Sequence, residues 1–206
     1  MTASRLVPLA GVATVVLSLI AFIVEGDPPS GDDPIDEVVS FYTDNDTDQL
    51  WAGALFLWAM AAFVLFAGGL WRLLRDAETE RRGASALVLV GAAVFAVGSA
   101  LFAGITFTLG DFADDLDPAA VQALNALNQD LFAPLALGVF TFLVGAGASM
   151  IGTGALPRWL GWVAVVLGVA ALTPVGLGAF LALGVWILIV SALIFQRGAA
   201  SAPRAP

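Results

Sequence analysis

The sequence predicts an all-α, polytopic membrane protein with six transmembrane helices and two short amphipathic helices on the extracytoplasmic side. Three observations support this fold class. Of the 206 residues, 60% are hydrophobic and only 12% are charged, which is more apolar and less charged than a soluble domain. Apolar runs of about 20 residues, the length that crosses a bilayer core, recur along the chain. The basic residues lie only at every second connection between these runs.

The individual spans follow from hydropathy. The first run is longer than the apolar region of a signal peptide and lacks an A-x-A cleavage site, so we expect a retained span. The fifth run is short, and "LTPVGLG" then turns the chain, which predicts a tight hairpin with the sixth run. The predicted spans cover residues 6–24, 50–74, 84–109, 131–151, 159–173 and 177–195 of a single bundle over residues 1–198, and residues 199–206 are predicted to be a disordered cytoplasmic tail.

Arginine predicts the direction of the chain. All eight basic residues are arginines, and with six spans they fall on one side of the membrane, which the positive-inside rule identifies as cytoplasmic. We therefore expect a multi-pass protein of a bacterial cytoplasmic (inner) membrane with both termini inside. Aromatic and arginine side chains are favoured at the membrane interface, and the predicted interface anchors are Trp51, Trp71, Arg158, Trp159 and Trp162.

Two acidic segments on the opposite side predict short helices. Each contains Asp-Pro, and Asp can cap a helix while Pro suits its first turn. Apolar residues then recur at helical spacing, as in the stripe of Val121, Leu124 and Leu127. The pattern predicts outer helices over residues 34–43 and 118–128.

These outer helices have two interpretations. They are solvated connectors, or they cap an outward-facing pocket of the kind that binds small ligands. In the second case, polar residues near the mouth of the pocket are the candidate ligand-binding residues, on the strength of their position alone: Asn125, Asn128, Gln129 and Asp130.

A calcium site is a weak candidate in the first acidic segment. "DNDTD" places Asp44, Asp46 and Asp48 at alternate positions, as at the start of an EF-hand loop. Gln49 then stands where that loop needs Gly, and Leu55 stands where it needs Glu. We therefore predict no specific metal site.

Composition excludes several kinds of chemistry. The chain has no Cys, His or Lys, which removes thiol nucleophiles, disulfides, the usual zinc sites, histidine bases and lysine Schiff bases. Its net charge of −9 argues against nucleic acid as a partner. The interiors of the predicted spans carry no ionisable residue, which disfavours proton-coupled transport. We therefore predict no enzymatic activity and no cofactor.

Small residues recur at packing intervals in the predicted spans. Small faces let membrane helices approach closely, and we favour packing within the bundle over an oligomer interface. The residues concerned are Ala92, Ala96, Ala100 and Gly104 in the third span, Gly138 and Gly145 in the fourth, and Gly161 and Gly168 in the fifth.

Four segments carry a resemblance to a known group: "EVVSFYTDN", "GGLWRLLRDAE", "LDPAAVQALNALNQDLF" and "GALPRWLGWVAVVLGV". Together they resemble a group of uncharacterised multi-pass membrane proteins common in actinobacteria, and "ALPRWLGW" is the most specific string. The resemblance implies a six-span bundle without an assigned reaction, so it transfers no catalytic residue.

Two functional hypotheses follow. The first is a non-enzymatic structural or accessory helix bundle of the cytoplasmic membrane, whose partners are the lipid bilayer and either a second copy or another membrane protein. The alternative is a binding or transport protein that takes a small apolar or neutral solute, or a lipid, in an outward-facing pocket under the outer helices.

Overall fold

The computed structural model describes residues 3–78 and 83–200, with side chains over 6–78 and 83–197. Arg81, Arg82 and Arg204, which contribute to the predicted direction, lie outside the described residues, as does most of the predicted tail. The described chain is helical and contains no strand. Its helices are α1 (Ala3–Glu25), α2 (Ile35–Asp44), α3 (Asp46–Ala77), α4 (Ala86–Phe112), α5 (Pro118–Asp130), α6 (Phe132–Thr153), α7 (Arg158–Ala171) and α8 (Gly176–Ala200).

Five helical segments in these ranges are long and apolar enough to cross a membrane: Leu6–Glu25, Asp46–Ala77, Ala86–Phe112, Pro118–Thr153 and Gly176–Arg197. The fourth joins α5 to α6. Helix α7 has 14 residues, or about 21 Å at 1.5 Å per residue, which is shorter than a bilayer core of about 30 Å. The chain thus has the helices of a multi-pass membrane protein, but helix length alone does not establish a sixth crossing. At the other end of the chain, α8 continues through Ala200, where the sequence predicted the disordered tail to have begun.

Six of the helices form a closed ring. Each of α1, α3, α4, α6, α7 and α8 packs on the next, and α8 packs back on α1. Gly11 of α1 faces Ser191 of α8, whereas Val15, one turn later, faces Gly184. Because the residue numbers fall on α8 as they rise on α1, the first and last helices are antiparallel neighbours.

Aromatic side chains fill the middle of the ring. The Phe63 ring on α3 lies 5.2 Å from the Phe95 ring on α4 and 5.1 Å from the Phe142 ring on α6, measured between centroids. Phe142 also meets Trp186 of α8 edge to face at 6.0 Å. All four side chains are buried, and edge-to-face and tilted aromatic pairs add to the stabilisation from burial.

Helices α4 and α6 approach closely at glycines. A Cβ added at Gly138 would lie 2.5 Å from the backbone N of Phe95, and a Cβ at Gly91 would overlap the backbone of Phe142. A Cβ at Gly145 would lie 2.6 Å from the Cβ of Leu87. Helix packing at these positions therefore requires the absence of a side chain.

The predicted small-residue stripe on α4 is only partly internal. Ala92 is buried, but Ala100 is exposed, and nothing lies within 4 Å of a Cβ added at Gly104. The face of α4 that packs on α6 is centred on Gly91, one residue earlier than the stripe, so the later members of the stripe turn outward. On α7, by contrast, Gly161 packs against Gly147 and Gly168 against α6, in agreement with internal packing.

The segment "ALPRWLGW" forms the hairpin between α6 and α7. Helix α6 ends at Gly154, whose φ of 69° is the left-handed conformation that favours glycine. Pro157 then precedes the first residue of α7. The indole N–H of Trp186 donates to the carbonyl of Leu160 at 3.1 Å, and the Arg197 guanidinium donates to the carbonyl of Ala155. These two bonds join α8 to the hairpin.

The two short helices lie together at the opposite end of the bundle, which we call the acidic end (residues 25–50 and 109–132). Val38 and Tyr42 of α2 pack with Leu109 of α4 and Val121 of α5 in an apolar cluster separate from the main core. Asp117 caps α5 by accepting a hydrogen bond from the N–H of Ala119 at 2.9 Å, as its Asp-Pro motif suggests.

The other Asp-Pro motif behaves differently. Asp33 makes no cap to α2. Its carboxylate instead accepts from the N–H of Ser30 at 2.7 Å, which stabilises the turn before the helix.

Candidate functional site

Helix α5 turns two asparagines toward the bundle. Val121 is buried as its apolar stripe predicts, but Leu127 is 51% exposed, whereas Asn125 and Asn128 are 0% and 6% exposed. The apolar stripe therefore predicted the inward face only in part, because Leu124 packs against the cluster that contains Val121 while Leu127 does not. The asparagines face inward because hydrogen-bond partners lie beneath α5, including the Tyr42 hydroxyl for Asn125 and the Thr106 hydroxyl for Asn128.

Asn125 joins three segments that are distant in sequence. Its Oδ1 accepts from the Tyr42 hydroxyl at 2.7 Å, and its Nδ2 donates to the carbonyl of Pro29 at 2.9 Å. Gln129 donates to the same carbonyl, and Gln122 donates to the carbonyl of Asp33 at 3.1 Å. Helix α5 is therefore fastened both to α2 and to the loop that precedes α2.

Two further amides lie deeper. Nδ2 of Asn128 donates to the hydroxyl of Thr106 on α4 at 3.2 Å, and that hydroxyl donates to the carbonyl of Phe102 at 3.1 Å. Gln49, the fourth residue of α3, is fully buried and donates from Nε2 to the backbone carbonyl of Glu25 at 2.9 Å. Five helices therefore contribute to one set of buried polar residues.

We call this set the buried polar cluster; it comprises Glu25, Tyr42, Gln49, Thr106, Asn125 and Asn128. The orientation of each amide follows from its partners. Gln49 must present nitrogen to the Glu25 carbonyl. Asn128 presents nitrogen to Thr106 in the arrangement where the Thr106 proton is donated to Phe102.

The cluster keeps two oxygens without hydrogen bonds. Among the described residues, Oε1 of Gln49 and Oδ1 of Asn128 are buried and accept nothing. Buried polar atoms are normally paired, since an unpaired one costs on the order of 1–3 kcal/mol. Both atoms are acceptors, so what they lack is a donor or a cation.

Glu25 supplies the only carboxylate of the cluster. The residue is the last of α1 and is 6% exposed. No ion pair to this carboxylate is present in the described part of the chain. Burial, and secondarily the nearby charge of Glu25, raise the pKa of the Tyr42 phenol well above its usual range.

The four predicted ligand-binding residues do not form one pocket. Asn125 and Asn128 are buried on the inner face of α5, whereas Gln129 and Asp130 are exposed at its end. The space under α2 and α5 is filled by Val38, Tyr42 and Val121. The pocket of the alternative hypothesis therefore gains no support at this position.

An open groove of about 640 Å³ lies instead beside α2. It is lined by Asp27, Asp33, Glu37, Asp44 and Gln129, among others. The groove is acidic and polar, which does not match the apolar or neutral solute of the alternative hypothesis.

The three aspartates of the calcium motif follow the helices rather than a loop. Asp44 ends α2, while Asp46 and Asp48 lie in the first turn of α3. No group of three or more acidic residues in the described ranges is placed to share a metal ion. Acidic side chains in a first turn interact favourably with the helix dipole, which accounts for Asp46 and Asp48.

The predicted interface anchors differ in exposure. Trp51, Trp159 and Trp162 are exposed, and Arg158 is the exposed first residue of α7. Trp71 is instead partly buried against the main core.

At the end of the bundle opposite the acidic end, Glu78 joins α3 to α4. Its carboxylate accepts from the backbone N–H of Ser85 at 2.9 Å and from the Ser85 hydroxyl at 2.6 Å. Burial alone would raise the pKa of Glu78, but the bonds from Ser85, together with the Ser149 hydroxyl and the charge of Arg75, outweigh it and the pKa is lowered. This contact is a helix cap that sequence patterning missed, because the seven-residue spacing matches no common capping motif.

The ring of apolar helices, five of which are long enough to cross a bilayer, has the architecture of a helical membrane protein. A sequence profile described as "Domain of unknown function (DUF4386)" matches residues 9–200, and the chain belongs to this family. No curated protein and no solved structure matches the chain. Family membership agrees with the resemblance to proteins without an assigned reaction, while the actinobacterial grouping remains a prediction.

Proposed function

We propose that the chain is a non-enzymatic structural or accessory bundle of a bacterial cytoplasmic membrane, with six crossings and both termini on the cytoplasmic side. The direction is supported by arginine, since the described arginines outside α1 flank α3, α7 and α8 at the end opposite the acidic end. The main support for a non-enzymatic structural role is that side chains fill the centre of the ring, where a substrate path would run.

A sixth crossing is supported by the course of the chain around α7. Gly161 packs against Gly147 near the end of α6, Gly168 packs against Phe140 and its neighbours, and Gly176 packs against Phe132 at the start of α6. The segment from α7 to the start of α8 therefore runs the full length of α6. The turn after α7 supplies the length that the helix lacks.

The filled centre argues against transport. Phe63 and Phe142 are buried at the middle of the ring together with Trp186. Opening a path would require separating these rings and the glycine contacts between α4 and α6, and a close-packed interior resists such changes. The two short helices further close the acidic end through the hydrogen bonds of Asn125.

An accessory role requires a face that another helix can approach. The outward face of α4 carries the small residues Ala100 and Gly104, with Val97 62% exposed beside them. Membrane helices associate through faces of small residues. This face is therefore where we expect a second copy or another membrane protein to bind.

Photo-crosslinking in native membranes tests this role. A photoreactive amino acid placed at Val97 should give a discrete protein adduct, and mass analysis would separate a second copy from another protein. The matched control is Val185 on α8, which is similarly exposed at 58% and should give no such adduct. Lipid adducts alone at both positions would contradict the accessory role.

A further inference from the structure

Two oxygen atoms of the buried polar cluster lack hydrogen-bond donors. Oε1 of Gln49 is on a side chain that is 0% exposed and Oδ1 of Asn128 on one that is 6% exposed, and neither accepts a hydrogen bond among the described residues. The orientation of Gln49 is fixed, because its nitrogen donates to the Glu25 carbonyl, while the nitrogen of Asn128 donates to the Thr106 hydroxyl. Both oxygens therefore need a ligand that carries positive charge or a proton.

Contacts bring the residues of the cluster close together. Gln49 packs against Gly110 of α4, with its Cβ 2.9 Å from the position of a Cβ there. Thr106, which binds Asn128, lies one helical turn from Gly110 on the same helix. Asn125 lies one turn from Asn128 on α5 and binds Tyr42. On the other side, Gln49 binds the backbone carbonyl of Glu25.

The charge of the cluster selects the valence of the ligand. Glu25 is its single carboxylate, and no arginine lies at this end of the described chain. A buried carboxylate without a counter-charge is costly. One positive charge neutralises it, whereas a divalent ion would leave an excess of charge in a buried site.

We propose that the buried polar cluster binds one monovalent cation, for which Na⁺ is the probe, through the Glu25 carboxylate, Gln49 Oε1 and Asn128 Oδ1. Carboxylate and amide oxygens are the ligands that hard cations take in proteins. The bound ion joins α1, α3 and α5 at the point where the short helices meet the ring. This site is separate from the proposed accessory role and does not depend on it.

Thermal unfolding of the full chain in lipid nanodiscs tests the proposal. Sodium chloride is compared with N-methylglucamine chloride at constant ionic strength and pH, because the organic cation is too large for an enclosed site. Binding to the folded state alone stabilises it in proportion to the logarithm of ligand concentration above the dissociation constant. We expect a rise in Tm of about 5 °C at saturating sodium, with no rise in N-methylglucamine.

Two variants locate the effect. Glu25→Gln removes the charge and retains the shape, so it should fold in sodium-free buffer at least as stably as the wild type and lose the sodium response. Asn128→Ala should raise the sodium concentration of half-maximal response about tenfold or more. Glu37→Gln is the matched control, since Glu37 is an exposed carboxylate at the same end, and it should respond to sodium as the wild type does.

Three results would overturn the site. Equal stabilisation by sodium and N-methylglucamine would mean screening of the acidic surface. A full sodium response in Glu25→Gln would place the ion elsewhere. A wild type that is stabilised by lower pH but not by sodium would mean that a proton alone neutralises Glu25.

Discussion

The middle of the ring and the acidic end are held together by different interactions. In the middle, Phe63, Phe142 and Trp186 pack as rings around a common centre, and glycines bring α4 and α6 into backbone contact. At the acidic end, a small apolar cluster is accompanied by single hydrogen bonds between distant segments, such as that between Tyr42 and Asn125. The first region depends on shape, and the second depends on matched donors and acceptors.

This difference predicts opposite sensitivities. A close-packed apolar region is sensitive to added volume. A buried polar region is instead sensitive to the loss of one partner, because the remaining group keeps its desolvation cost. The predictions below test each sensitivity with a change that the other region would tolerate.

The largest effect is expected from Gly91→Ala. The added methyl would overlap the backbone of Phe142, so α4 and α6 must separate, at a cost of roughly 3 kcal/mol. Thermal unfolding in nanodiscs should show Tm lower by about 6–12 °C. Gly104→Ala makes the same change on the same helix, where nothing lies within 4 Å, and should leave Tm unchanged. Equal Tm values for the two variants would contradict the close approach of α4 and α6.

A smaller effect is expected from Asn125→Ala. The change leaves the buried Tyr42 hydroxyl without its acceptor, while Gln129 still serves the Pro29 carbonyl, so the expected cost is roughly 2 kcal/mol. Gln129→Ala is the control, since this exposed side chain binds the same carbonyl, and it should cost less than about 0.5 kcal/mol. Combining Asn125→Ala with Tyr42→Phe should recover part of the loss, because the orphaned hydroxyl is then absent. Strictly additive losses would show that the two side chains do not interact.

The smallest effect on stability at neutral pH is expected from the raised pKa of Tyr42, because the phenol is protonated there in both the folded and the unfolded chain. Its titration at high pH nevertheless gives the sharpest test of the acidic end. Tyr42 is the only tyrosine, and the chain has no Cys or Lys, so no other side chain titrates between about pH 9 and 12. Its raised pKa means that the folded state holds the phenolic proton more tightly than the unfolded chain does. The resulting stabilisation is fully present below pH about 10 and is lost as pH rises through the raised pKa.

Tyrosinate absorbance measures this titration directly. The folded protein should titrate well above pH about 10, and the denatured protein near it. Tyr42→Phe should abolish the signal. A midpoint near 10 in the folded protein would place the hydroxyl in water and contradict its contact with Asn125.

Hydropathy predicted the long helices because each has a nearly continuous apolar run, so α1, α3, α4, α6 and α8 lie close to the predicted spans. It predicted the inward face of α5 only in part, since Val121 faces inward but Asn125 and Asn128 count as polar wherever they point. The burial of Glu25 was missed for a similar reason. A residue at the end of a span looks solvated in sequence, and only the fold reveals that α3 and α2 cover it. The predicted packing face of α4 differs from the observed one by one residue, because small residues occur on both faces of this helix.

The contact between α1 and α8 has a consequence for biosynthesis. Helix α8 is synthesised long after α1, and Gly11 meets Ser191 where the two touch. During insertion, α1 can pair with α3 early, but its second neighbour does not exist until α8 has been made. One flank of α1 therefore faces lipid until α8 arrives and closes the ring, so truncation within α8 should leave an open bundle of helices rather than a smaller closed one.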